Sequence, residues 1–171
     1  MNTKVALLGA IEIISSLGCG ILILLLTYRL ITIYGQKVLA INHGNTAYNI
    51  LITGVLFSVG YVVSGVIQPI IDAFRLLSDT NISTAQLILQ FVGYGGLYIA
   101  IAYISSIIIS MIGVYTYTYM TPLDELKEIK NNNIGVGLTV SIIIVVLALM
   151  TKGGIILLVE SLVPYPDLPP K

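Results

Sequence analysis

Four apolar segments, each long enough to cross a lipid bilayer as a helix, dominate this sequence of 171 residues. They cover residues 5–30, 46–77, 85–119 and 134–163. A helix needs about 20 apolar residues to cross a hydrocarbon core of about 30 Å, so the excess implies tilt or turns that project beyond the bilayer. Because backbone groups in lipid must be satisfied within their own segment, we expect helices despite the many β-branched residues.

The composition excludes several other classes of protein. Hydrophobic residues make up 57% of the chain and charged residues 9%, whereas about a quarter of a typical soluble domain is charged. The formal net charge is zero, which excludes the basic footprint of a nucleic-acid-binding protein. A single cysteine (Cys19) and a single histidine (His43) argue against a disulfide framework and a conventional zinc or iron site, so we expect no cofactor.

The first apolar segment is distinguished from a signal peptide by its length and its ends. It is longer than a secretory apolar region, it contains Glu12, and no small-residue cleavage site follows it. We therefore expect it to remain in the protein as a helix.

An internal repeat relates the two halves of the chain, and its support lies in the loop and the second helix of each unit, since the first and third helices match weakly. A shift of 88 positions aligns several sparse polar or small residues without a gap: Asn45 with Asn133, Thr53 with Ser141, Gly65 with Gly153, and Asp72 with Glu160. The pattern predicts an all-α polytopic membrane protein of four transmembrane helices, arranged as two parallel two-helix repeats. The repeats would cover residues 1–77 and 78–163, and a proline-rich tail follows at 164–171. Two helices per unit make the copies parallel rather than inverted.

The basic residues predict an orientation. The two loops inside the repeats carry four of them and the opposite side, with both termini, carries three: Arg29, Lys37, Lys127 and Lys130 against Lys4, Arg75 and Lys171. The positive-inside rule therefore favours intra-repeat loops in the cytoplasm and both termini outside.

A short amphipathic helix is predicted over residues 121–130. Thr121 is placed as its N-cap, Pro122 at the first helical position, and Asp124 at capping-box spacing. It either docks a cytoplasmic partner or simply lies on the headgroups, and the second alternative is favoured. The residues that would dock a partner are Thr121, Pro122, Asp124, Glu125 and Lys127.

Asn45 and Asn133 stand at the starts of the second and fourth apolar segments. Asparagine side chains at such positions accept hydrogen bonds from the free backbone N–H groups of the first helical turn. We therefore expect both residues to be N-caps, and ligand binding is the less favoured alternative.

These loops carry a resemblance to a known family. The run Thr-Pro-Leu-Asp-Glu-Leu at 121–126, followed by Ile-Lys-Asn-Asn-Asn at 129–133 and an apolar helix, resembles the bacterial inner-membrane family called domain of unknown function 350. Residues 41–47 resemble its Gly-Asn step, whereas residues 34–37 lack the proline and acids, and Asn132 replaces an expected glycine. The resemblance implies a four-helix protein of two repeats with no established activity, associated with membrane-maintenance systems of the phage-shock type.

Ionisable and polar residues within the predicted spans form a candidate charged cluster: Glu12, Gln68, Asp72, Lys152 and Glu160. Such residues are costly in lipid and often functional. Their depths allow a Glu12–Lys152 ion pair, which would serve either a proton- or ion-linked site or, as we favour, helix packing. Lys152 aligns with Ser64, so a pair would exist once per chain. Pro69 is expected to kink the second helix.

Two functional hypotheses follow. Small residues at four-residue spacing let helices approach closely; packing inside the bundle is the favoured explanation, and an oligomer interface is the alternative. The first hypothesis is a structural or accessory membrane subunit that assembles with itself or a partner through such faces and through residues 121–130. The alternative is a small proton- or ion-linked channel or transporter that uses the charged cluster. No catalytic constellation occurs in the sequence, so we do not expect an enzyme. The small residues at four-residue spacing are Gly54/Ser58, Gly60/Ser64, Gly96/Ala100, Ala102/Ser106/Ser110 and Gly137/Ser141.

Overall fold

The computed structural model describes residues 3–37, 40–41, 44–78, 84–122 and 124–162. No strand occurs among them, and they form six helices: α1 (Thr3–Lys37), α2 (Thr46–Ser64), α3 (Ile67–Ser78), α4 (Thr84–Met120), α5 (Glu125–Lys130) and α6 (Ile134–Glu160). The predicted proline-rich tail and His43 lie outside the described residues, as does the side chain of Glu12.

Four stretches of this structure are long and apolar enough to cross a membrane. They are Ser16–Lys37, Thr46–Ala73, Val92–Met120 and Ile134–Glu160. The predicted polytopic four-helix fold is therefore confirmed, because segment length outweighs β-branched content when lipid is the solvent.

The second span is broken rather than kinked at its proline. Gly65 N donates to the Val62 carbonyl at 3.0 Å and Val66 N to the Val63 carbonyl at 3.1 Å, which tightens the end of α2. A new helix, α3, then starts at Ile67. Pro69 thus lies in the first turn of α3, where a missing N–H costs little. The expected kink in one continuous helix is wrong, because the chain stops and restarts the helix ahead of the proline.

Helices α2 and α6 form the centre of the bundle and run parallel. Gly137 near the start of α6 lies against Ala47 near the start of α2, and further along Gly54 lies against Ser141. The Ser141 hydroxyl donates to the Ile50 carbonyl at 2.8 Å, across the two helices. Close approach through small residues is how membrane helices gain packing energy without a hydrophobic driving force.

Helix α1 lies at the edge of the bundle. Only 11% of its most apolar stretch is buried, against 50% for Thr46–Ala73. Near its end, the Tyr48 hydroxyl donates to the Ile31 carbonyl at 2.6 Å, and Gly35 contacts the Tyr48 ring. Nearer the middle of α1, Leu24 packs on Gly60. Most other large apolar side chains of α1 with described exposure face outward, as expected for a lipid-facing helix.

Candidate functional site

Lys152 is a half-buried cation within the fourth span. Its Nζ donates to Ser64 Oγ at 3.2 Å and lies 4.0 Å from the centroid of the Tyr61 ring. Since α6 ends at Glu160, Lys152 lies about 12 Å along the helix from that end at ~1.5 Å per residue. A charged side chain at this depth marks a candidate functional site.

The contacts of this ammonium are neutral. The face of an aromatic ring attracts a cation and a hydroxyl oxygen accepts one of its hydrogen bonds, but neither carries a negative charge. Within the part of the chain that the structure describes, these are the polar partners that hold Lys152. The predicted pairing with Glu12 stays a prediction, because the Glu12 side chain lies outside that part.

Two other residues of the predicted cluster, Gln68 and Asp72, lie together on α3. Gln68 Nε2 donates to Asp72 Oδ1 at 3.2 Å, one turn apart on α3. Glu160 is the half-buried last residue of α6. The partner that the structure gives Lys152 is Ser64, the very residue with which the repeat aligns it.

An apolar groove of about 520 Å³ opens between α1, α2, α3 and α4. Its lining is apolar except for Ser16, Cys19 and Ser64. The volume falls within the range of roughly 300–1,000 Å³ that is typical of ligand pockets. Ser64 therefore belongs both to the wall of this groove and to the contact with Lys152.

This groove is not apparent from the sequence alone. Glycines from three helices line it, and they look like close-packing residues in the sequence. A side chain at Gly96 would meet nothing within 4 Å, and one at Gly60 or Gly95 would meet only ordinary contacts at 3.6 Å. These glycines leave the space that forms the groove. They come from α1, α2 and α4, so their proximity cannot be recognised until the packing of these helices is known.

At the end of the bundle away from Lys152, Asn45 and Asn133 cap α2 and α6. Asn45 Oδ1 accepts from Tyr48 N at 2.8 Å, and Asn133 Oδ1 accepts from Val136 N at 3.3 Å. Both residues have extended backbone angles, φ −74° and ψ 108° for Asn45 and φ −72° and ψ 96° for Asn133. Two helix starts thus share one local geometry.

The predicted docking segment starts later than expected. Helix α5 begins at Glu125, and its N-cap is Asp124, which accepts from Lys127 N at 3.1 Å. Thr121 is not an N-cap, because α4 runs to Met120 and both the backbone N–H and the hydroxyl of Thr121 donate to the Tyr117 carbonyl at 3.1 Å.

Only part of that predicted docking surface is open to a partner. Glu125 is 5% exposed and faces the bundle. Pro122, Asp124 and Lys127 are exposed, and Thr121 is half-buried.

Comparison with known proteins identifies the family of this chain but no individual relative. Residues 5–155 match the family described as Domain of Unknown Function (DUF350). The resemblance drawn from the two loop motifs is therefore confirmed. Neither a curated protein nor a solved structure matches the chain.

Proposed function

This chain belongs to the Domain of Unknown Function (DUF350) family, and we propose that it is a structural or accessory membrane subunit that assembles with itself or with a membrane-maintenance partner. The proposal extends to a bacterial inner-membrane location with the intra-repeat loops in the cytoplasm. The family description carries no activity, so the support comes from the surface of the bundle.

The observation that carries this proposal is the division of the glycines into two sets. Inside the bundle, an added Cβ at Gly54 or Gly113 would lie 2.7 Å or 2.6 Å from a neighbouring side chain. On the outer surface, one at Gly18, Gly93 or Gly153 would meet nothing within 4 Å. Since glycine costs helix stability unless a neighbour uses its small size, the outward glycines favour contact with another chain.

The proposal includes the duplication of the two-helix unit. Its support is that Asn45 and Asn133, equivalent in the repeat, cap their helices with the same geometry. The equivalent residues Ser64 and Lys152 also face each other across α2 and α6. Contact between equivalent positions of parallel helices is what an approximate two-fold axis along the bundle would produce.

Cysteine cross-linking in native membranes tests the assembly. In a Cys19→Ala background, Gly93→Cys and Gly153→Cys should each be tested for disulfide-linked oligomers after mild oxidation. We expect at least one of them to cross-link, whereas the buried control Ala148→Cys should stay monomeric. Mass measurement in mild detergent complements this test: a lone monomer with no co-purifying protein, together with no cross-linking, contradicts the proposal.

A small proton- or ion-linked channel or transporter is the second candidate, favoured by a membrane-embedded lysine whose described partners are neutral. Proteoliposomes should be assayed for ion flux with the unaltered chain, Lys152→Met and, as the exposed loop-side control, Lys127→Met. A flux that Lys152→Met abolishes and Lys127→Met leaves intact supports transport. The absence of flux, or equal flux in all three proteins, excludes it.

A further inference from the structure

We propose that the apolar groove and Lys152 form one binding site for an anionic membrane phospholipid. An acyl chain would occupy the groove, and the anionic headgroup would contact the Lys152 ammonium. This inference does not depend on whether the chain assembles with others.

The groove lies in one half of the membrane. Residues 92–99, which contribute its α4 wall, come from the first half of a helix that starts at Thr84. Its α3 wall includes Ile67, Ile70 and Ile71. Since α3 ends and α4 starts on the side of the termini, the groove opens in that leaflet, at the same level as Lys152.

Ser64 connects the groove to the ammonium. Its hydroxyl donates its single proton to the Tyr61 carbonyl at 2.7 Å, which leaves the oxygen free to accept from Lys152 Nζ. The ammonium is thereby held at the rim of the groove. A lysine has three N–H donors, and Ser64 accepts one of them, so donors remain for a phosphate oxygen.

The charge favours an anionic headgroup. An ammonium whose described partners are a hydroxyl and a ring leaves a positive charge in a low-dielectric region, which is costly unless an anion approaches it. Bonds between an ammonium and a phosphate oxygen are about twice as strong as bonds between neutral groups. A zwitterionic lipid brings its own cation and gains less at this position.

The lining of the groove favours an acyl chain. Apart from Ser16, Cys19 and Ser64, it consists of aliphatic side chains and glycines. A hydrocarbon chain needs no hydrogen-bond partner in such a groove, and Lys152 at its rim can bind the headgroup that the chain carries.

The test is lipid retention by the full-length protein, measured by native mass spectrometry after equilibration with phosphatidylglycerol or phosphatidylcholine of the same acyl chains. We expect phosphatidylglycerol to be retained about tenfold more strongly, the ratio that one charge-assisted contact at a partly exposed site supplies. Equal retention of the two lipids overturns the proposal.

Variants separate the headgroup from the tail. Lys152→Met should remove the preference for phosphatidylglycerol while residual binding of both lipids persists, and Lys152→Arg should keep the preference. Gly96→Leu should fill the groove and weaken the retention of both lipids. The matched controls are Lys127→Met in the loop-side helix and Thr139→Leu, at an exposed position near the start of α6, which should change neither quantity.

Two further outcomes would contradict the phospholipid site. Retention of palmitate without phosphatidylglycerol assigns the groove to free fatty acids and overturns the phospholipid site. If Lys152→Met releases a co-purifying protein and leaves lipid retention unchanged, Lys152 serves assembly and the proposal is wrong. If Lys152→Met fails to fold, Gly96→Leu and Lys152→Arg still test the tail and the headgroup separately.

Discussion

Asn45 Nδ2 donates a hydrogen bond of 2.7 Å to the carbonyl of Ile129, a residue 84 positions later in the chain. The same side chain caps α2, and in return Asn132 Oδ1 accepts from Ala47 N at 3.0 Å. The two loop regions therefore hold each other at the end of the bundle where α2 and α6 begin. This clamp fixes the register of the parallel helix pair.

We expect Asn45→Ala to destabilise the protein more than Asn133→Ala. Both lose an N-cap, worth about 1 kcal/mol, but Asn45→Ala also removes the hydrogen bonds from Nδ2 to the carbonyls of Ile129 and Lys130, worth about 0.5–1.5 kcal/mol each. Asn133 instead donates to the Glu128 carboxylate in a solvent-exposed hydrogen bond. Denaturant unfolding in one detergent measures both losses, and equal losses would show that the bond to Ile129 adds nothing.

Gly54→Ala should destabilise the α2–α6 contact. The new Cβ would lie 2.7 Å from Ser141 Cβ and 2.9 Å from its Cα, so the helices must separate. Overpacking of this kind costs about 1–3 kcal/mol. The control is Gly154→Ala on α6, where a Cβ meets nothing within 4 Å, and it should be neutral or stabilise by up to ~1 kcal/mol from helix propensity. Thermal midpoints in detergent should therefore move down for Gly54→Ala and stay or rise for Gly154→Ala.

The parts of this structure that follow from local or lipid-imposed constraints could be predicted from the sequence. The four spans follow from segment length, and the caps at Asn45 and Asn133 follow from a local pattern of side chain and helix start. The prediction of Thr121 as an N-cap is wrong, because capping signals do not reveal that the preceding helix extends to Met120. The expected kink at Pro69 is also wrong, because the turn at Gly65 and Val66 ends α2, and α3 starts two residues before the proline.

The groove and the contact of Lys152 could not be predicted. Both depend on distances between helices that are far apart in the sequence. The repeat aligns Lys152 with Ser64, but alignment does not show that two residues touch. They form a hydrogen bond because α2 and α6 pack in parallel.

Tyr48→Phe should loosen α1 without disturbing the centre of the bundle. The variant keeps the ring that contacts Gly35 and removes the hydroxyl that donates to the Ile31 carbonyl at 2.6 Å. The expected loss is about 0.5–1.5 kcal/mol. Hydrogen exchange should accelerate near the end of α1 and stay unchanged in α6. Faster exchange throughout the bundle would mean that α1 and the core unfold as one unit.

Glu125→Met should stabilise the loop-side end of the bundle. Glu125 is 5% exposed, and among the described residues no donor lies within hydrogen-bond distance of its buried Oε2. An unpaired buried polar group costs about 1–3 kcal/mol, and methionine fills a similar volume without that cost. The neighbouring Asp124→Ala is the matched control, and it should lose about 1 kcal/mol with the N-cap of α5. Thermal unfolding should therefore shift upward for Glu125→Met and downward for Asp124→Ala. A larger loss for Glu125→Met than for Asp124→Ala would mean that the Glu125 carboxyl group has a stabilising partner, and that it contributes to the clamp between the two loops.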